Sequence, residues 1–276
     1  MIPQINITKN VCACLLVGLF GLTAGLSAAQ AQDEPFITIW ASDTTGASDD
    51  DQITIPGEGE DYDIAWTEVE EINGEWQEVT GGNSGNDTGT DEHTVDLGEP
   101  GTYRVEISGD FTRIHFEGEG DKRKILDVDQ WGDIEWATME QAFQGAANID
   151  VSADDAPDLS EVTVISSMFW DAKTMNGSIG HWDTGNITDM RAMFAGADSF
   201  NQDIGDWDTG NVTDMFAMFS GANSFNQYIG EWETGQVTNM SQMFNSTDSF
   251  NQDISGWNTE NVENMSHMFF NTDSFN

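Results

Sequence analysis

The side chains in this chain best suited to proton or metal chemistry are four histidines, His93, His115, His181 and His267. None stands at an H-x-x-x-H or H-E-x-x-H spacing, which would put two imidazoles on one helix face for zinc. No G-x-S-x-G elbow is present to expose a serine nucleophile, and there is no Walker loop or dinucleotide fingerprint. Carboxylates are abundant, at 50 Asp plus Glu. A glycosidase needs two of them at a fixed separation, but among so many some pair always sits close, so the count selects none. No D-x-[DN]-x-[DN]-G loop with a distal Glu occurs, although Asp49, Asp50 and Asp51 cluster near Glu58, Glu60, Asp61 and Asp63. No catalysis and no catalytic residue is expected. Ca²⁺ is the one cofactor the composition admits.

Against those acids stand 8 Lys plus Arg, giving a formal net charge of −42. Such a surface repels nucleic acid, whose binding relies on cations neutralising phosphates. It also disfavours anionic lipid and keeps the chain soluble. The chain is 38% hydrophobic and 11% aromatic, which is enough apolar material for a core. The only dense basic cluster is Lys122, Arg123 and Lys124. It reads either as a docking site or as neutralisation of nearby acids.

Residues 1–31 have the form of a cleavable signal peptide. Lys9 gives a positive start, Val11 to Ala24 an apolar core, and Ala29-Gln30-Ala31 a cleavage site before Gln32. Cys12 and Cys14 leave with it, so the mature chain is expected to lack thiols. No later segment is apolar enough to span a membrane. The expected location is secreted or cell-surface.

The elements that carry the remaining residues are set by a repeat. Trp182, Trp207, Trp232 and Trp257 are each 25 apart. Met190, Met215, Met240 and Met265 keep the same step, as do Phe194, Phe219, Phe244 and Phe269, and Asn201, Asn226, Asn251 and Asn276. A weaker unit contains Val162, Ile165, Met168 and Phe169. A weaker one still holds Trp136, Met139 and Phe143, followed by an irregular insert near 150–158. Within a unit, Met215, Met218 and Phe219 at i, i+3 and i+4 predict a short helix or 3₁₀ turn, with Asn211 or Thr213 at its start. Ser224 to Trp232 reads as a short strand. Stacked at about 4.8 Å per coil, five or six units make a rod of roughly 25–30 Å.

Each column has two readings. The Asn column is a buried ladder to backbone or an exposed binding stripe, and the ladder is favoured. The Trp column is core or a carbohydrate platform, and core is favoured. Asp183, Asp208 and Glu233 follow the Trp column. They form either a solvated face or an edge where stacked carboxylates hold Ca²⁺.

The unit W-D-T-G-N-V-T-D-M-x-x-M-F-x-G-A-x-S-F-N-Q-D-I-G resembles the 25-residue repeat of the BspA-like leucine-rich repeat surface proteins. The resemblance covers about 136–276. It implies an exported or surface-displayed protein, of a kind that in some members mediates adhesion. It carries over no catalytic residue and no ligand.

Residues 33–130 lack the period and show short β-rich runs between turns. Strands are expected at Phe36–Trp40, Gln52–Ile55, Tyr62–Val69, Trp76–Val79, His93–Leu97, Thr102–Ile107 and Phe111–Phe116. The stretch 80–93 reads as a flexible loop by composition. The segment 94–111 resembles the late strands of PKD or immunoglobulin-like domains, although the W-x-F-G-D-G segment usual in PKD domains is absent. The expected architecture is therefore a β-sandwich at 32–130 followed by a leucine-rich-repeat-like solenoid at 131–276, whose last unit stops mid-repeat. The expected function is binding or adhesion through the solenoid to an extracellular protein or glycan. The mid-repeat stop reads either as a piece of a longer protein, which is favoured, or as an end covered by a partner in an end-to-end contact. A passive spacer and a glycan-active enzyme are the alternatives.

Overall fold

A computed structural model describes residues 34–276. The signal-peptide reading of 1–31, with Cys12 and Cys14, lies outside the described residues. Among those described there is no α- or 3₁₀-helix, and the protein is all-β. The strands are β1 (Phe36–Ala41), β2 (Gln52–Gly59), β3 (Tyr62–Ile72), β4 (Glu75–Glu78), β5 (Ser84–Gly89), β6 (Glu92–Asp96), β7 (Thr102–Ser108), β8 (Phe111–Ile114), β9 (Ile125–Gln130) and β10 (Asp150–Val151). One sheet runs β10-β9-β1-β7-β3-β4, with β5 also on β3, and a second runs β6-β2-β8.

All seven strands expected from alternation are present. β1 lies between β9 and β7, and all six of its residues are buried. The stretch 80–93 was expected to be a loop but contains β5, paired antiparallel with Tyr62–Thr67 of β3. Its glycines explain both the strand and its disguise. A Cβ at Gly85 would collide with the Trp66 ring, and one at Gly89 with the Tyr62 ring. The aromatics supply the side-chain cover that the glycines lack. β9 lies in a part of the expected sandwich where no strand was expected, and β10 in the irregular insert. β10 lies parallel to β9, with Asp150 opposite Asp127 and Val151 opposite Val128.

That pairing joins the sheet to the repeats, and the core passes through the junction without a break. Trp131 packs against Phe36 at 5.8 Å, Trp136 at 6.2 Å and Trp182 at 5.4 Å between ring centroids. From there a column of stacked rings runs Phe143, Phe169, Phe194, Phe219, Phe244, Phe269, at 5.6–6.0 Å per step. Even the most degenerate unit therefore joins the stack. A second column, Phe200, Phe225, Phe250 and Phe275, lies beside it. Each fully buried aromatic contributes about 1.5–3 kcal/mol of transfer free energy, and each favourable ring pair about 0.5–1.5 more.

Of the short helix or 3₁₀ turn expected at 211–222, no helix forms, and the i→i−3 bonds of such a turn occur only on alternate residues. Met215, Met218 and Phe219 do share one buried face, but the backbone takes another course. Met193, Ala195 and Ala197 donate their N–H groups three residues back, to Met190, Ala192 and Phe194. The alternate residues donate to the next coil: Met190 to Asp214 O at 3.1 Å, Ala192 to Phe216 O at 2.7 Å, Phe194 to Met218 O at 2.9 Å. A helix would return every N–H within its own segment. Here half of them bind the neighbouring coil, and left-handed residues such as Ala192 (φ 52°) and Ala217 (φ 53°) reverse the winding. Asn211 and Thr213 cap nothing. Their side chains donate to Gly185 O and Thr188 O one coil back.

The strand expected at Ser224 to Trp232 is also absent. Phe225, Ile229 and Trp232 are fully inward rather than partly so. The parallel β contacts lie elsewhere in the unit, as single bridges linking Val164, Asp189, Asp214, Asn239 and Asn264 in series.

Candidate functional site

Comparing coils by number separates two kinds of position. The columns of Met215, Met218, Phe219 and Phe225 barely change type and point inward. Two columns between them change freely. The first reads Glu140, Ser166, Arg191, Phe216, Ser241, and the second Gln144, Trp170, Ala195, Ser220, Asn245. A core position tolerates little change in volume, whereas a solvent-facing one tolerates much.

Most of these variable residues line a single groove of ≈ 630 Å³ that crosses the stack from Glu140 to Gln242. Its floor is a small apolar cluster of Ala192, Ala195 and Ala217, with Phe216 packed against it. Trp170 rises at one side, 41% exposed. A buried indole would belong to the core, but one this exposed, over an alanine floor, offers a ring face to a ligand. The remaining lining is hydroxyl, amide and carboxyl: Ser166, Ser167, Ser220, Gln141, Gln242, Glu140 and Asp171.

Of the charges in the groove, Arg191 and Asp171 are paired with opposite charges, and Glu140 is held by a hydroxyl. Arg191 Nε donates to both oxygens of Asp189, at 3.0 and 2.9 Å, and Nη2 lies 2.7 Å from Asp189 Oδ2. Those bonds and that charge push the guanidinium pKa further up. Asp171 pairs with Lys173 at 3.0 Å, and Glu140 accepts from Ser166 Oγ at 3.2 Å. The floor's N–H groups are spent along the stack, as described above.

The columns expected from the sequence fall mostly in the core. Trp182, Trp207, Trp232 and Trp257 are buried. Trp207, Trp232 and Trp257 donate Nε1 to Ile179, Ile204 and Ile229 O at 2.9–3.1 Å. They are not an open carbohydrate platform. Met190, Met215 and Met240 are buried, as are Phe194, Phe219 and Phe244, whereas Met265 is 42% exposed and Phe269 half-buried in the last coil. The Asn ladder is real but not buried. The side-chain oxygens of Asn176, Asn201 and Asn226 accept the backbone N–H of Asn201, Asn226 and Asn251, each at 2.9 Å. Asn201 and Asn226 are half-buried and Asn251 is exposed.

Asp183, Asp208 and Glu233 are exposed and do not assemble into a cation site. Among the described residues no group of three or more His, Cys, Asp or Glu is placed to hold a metal. Asp183 and Asp208 instead close local turns, accepting from Gly185 N at 3.1 Å and Gly210 N at 2.9 Å.

Lys124 proves to be structural. It is fully buried, and its ammonium donates to Ser48 O, Ser48 Oγ, Asp49 O and Gln52 O at 2.8–3.1 Å. The loop before β2 is wrapped around a tethered cation. Asp121 secures the same loop, accepting from the N–H groups of Ala47, Ser48 and Thr54 and from Ser48 Oγ.

The strongest acid candidate outside the groove is Asp127, in a cleft of ≈ 490 Å³ with Trp76, Asp129, Asp154 and Asp155. Burial pushes its carboxyl pKa up, against the bonds from Ser152 and Trp76. Both of its oxygens are already occupied, by Ser152 N and Oγ and by Trp76 Nε1. That arrangement ties β9 to β4 and to the chain just after β10.

Trp170, Arg191 and Phe216 were not singled out by sequence reasoning, although the signal was available. They stand in columns whose residue type changes from coil to coil.

The fold and groove together define an all-β repeat protein whose constant positions build a core and two of whose variable columns run largely along one groove. The chain belongs to the family described as "Mycoplasma protein of unknown function, DUF285", which matches residues 137–234 and again 202–276, together just over half of the chain. No curated protein and no solved structure matches it. No helix among the described residues is long and apolar enough to cross a membrane.

Proposed function

We propose that this protein is a secreted or surface-displayed binding protein of the BspA-like kind, acting without catalysis through the groove on its repeat stack. The observation that carries the reading is that two freely varying columns of the repeat lie mostly along one groove holding an exposed Trp. Stacked coils suit such a role because a surface column can be substituted while the core column keeps its packing. The 34–130 region, in this reading a PKD- or immunoglobulin-like sandwich, covers the first coil and gives the stack a folded start.

The test uses the whole chain, because the core is continuous across residue 131. Saturable binding to cells, matrix proteins or immobilised glycans is measured for the wild type and for Trp170→Gln and Phe216→Ser. These replacements are already tolerated in the same columns at Gln144 and Ser241. Binding that both variants lose supports the reading. Binding that neither affects places the function elsewhere, and no binding to any surface favours a passive spacer.

A further inference from the structure

From the groove's chemistry we infer that its ligand is a neutral, hydroxyl-rich chain, a glycan without charged substituents. The inference rests on the binding role proposed for the same groove. It begins with what the groove cannot offer. An extended peptide is usually captured through main-chain hydrogen bonds to an open sheet edge. Here the N–H groups of Ala192, Phe194 and Gly196 already donate to Phe216, Met218 and Ser220 O, at 2.7–2.9 Å. Little main chain is left on the floor to receive a strand, so recognition falls to side chains.

Those side chains select against charge. A polyanion meets a surface of net charge −42, and the one groove cation, Arg191, is held in a fork by Asp189. A polycation is drawn by the overall charge, but in the groove it finds Asp171 already paired with Lys173 and Glu140 as the one carboxylate without a cation partner, engaged by the Ser166 hydroxyl. What remains is an exposed indole, a half-buried phenyl ring and a bank of Ser and Gln side chains around a flat alanine floor. A sugar ring presents C–H faces to stack on the aromatics and hydroxyls that both donate and accept toward Ser and Gln. Ligand sites commonly combine an apolar platform with a few convergent polar groups in this way. The groove crosses coils near 140, 166, 191, 216 and 242, about 20 Å at the usual strand spacing. That length accommodates several linked units rather than a monosaccharide.

The test is calorimetric titration of the full chain with cellohexaose, chitohexaose and mannohexaose. A heparin hexasaccharide, a lysine-rich hexapeptide and a Gly/Ser hexapeptide are titrated in parallel, and wild type is compared with Trp170→Gln and Phe216→Ser. The expected result is saturable binding of a neutral hexasaccharide, weakened about tenfold or more by either substitution, with unchanged melting temperatures. Hexasaccharide binding that both variants retain, or no hexasaccharide binding at all, overturns the inference. If a peptide or the heparin fragment binds instead and is lost in the variants, the glycan assignment falls while the groove keeps its binding role. If the variants also keep full binding to cells and matrix, the binding role falls with it.

Discussion

At the residue scale, adjacent positions in one coil carry opposite duties. Phe219 is sandwiched between Phe194 and Phe244 at 5.7 Å on each side and is fully buried. Phe216, three residues earlier, lies half-open on the groove. Phe219→Ala is therefore expected to cost about 3–5 kcal/mol by loss of transfer free energy and creation of a cavity. Phe216→Ser is expected to stay within about 1 kcal/mol. Urea denaturation checks both, and equal costs would contradict the assignment of one to core and the other to groove. Asp121 gives a second residue-scale test. Burial opposes its ionisation, but the Ser48 hydroxyl, the Ser48 and Thr54 N–H groups and the Lys124 charge outweigh it and hold the pKa below its ordinary 3.8. A carboxylate with a lowered folded pKa stabilises the fold above its unfolded pKa, and that contribution is lost as pH falls through the folded value. Asp121→Asn is expected to be less stable than wild type at pH 7, with the gap closing below about pH 3.8. A gap that widened on acidification would contradict this.

At the scale of the element, the coil works by exporting every second N–H to its neighbour. The left-handed Ala217 is part of that winding and donates to Ser241 O at 2.9 Å. Ala217→Pro removes the donor and forbids the positive φ, so a loss of about 3 kcal/mol or more is expected. Thermal melts and circular dichroism of the variant would show it, and a native-like melt would contradict the proposed backbone course. The same coil marks the limit of what the sequence made legible. Its 25-residue step and inward columns could be read because burial repeats with the sequence. Its backbone could not, because Met215, Met218 and Phe219 share a face in a helix and equally in a series of tight turns. Side-chain spacing does not report where an N–H is sent. In the sheets, β-rich runs between turns revealed β1, buried on both faces, and β7, buried on one. The same reading concealed β5, whose cover is provided by Trp66 and Tyr62 from the next strand. The groove went unread for a different reason: attention to what recurs favours the core, and binding residues lie where recurrence fails.

At the scale of the whole molecule, one core links the sheets to the last coil, and a large negative charge surrounds it. The continuous packing at Trp131 predicts a single cooperative unfolding transition rather than separate melting of 34–130 and the repeats. Self-repulsion at −42 opposes compactness and is screened by salt. The midpoint is therefore expected to rise between low and physiological ionic strength. Scanning calorimetry at several NaCl concentrations checks both points, and two resolved transitions or a falling midpoint would contradict them. The central claim is that the variable columns form the working surface of the molecule. It is tested most directly by comparing the binding of wild type and a Trp170→Gln, Phe216→Ser double variant to the same cells or immobilised ligand. The account predicts that the double variant melts like wild type and has lost most of its binding. A double variant that is folded and binds as tightly as wild type would contradict it.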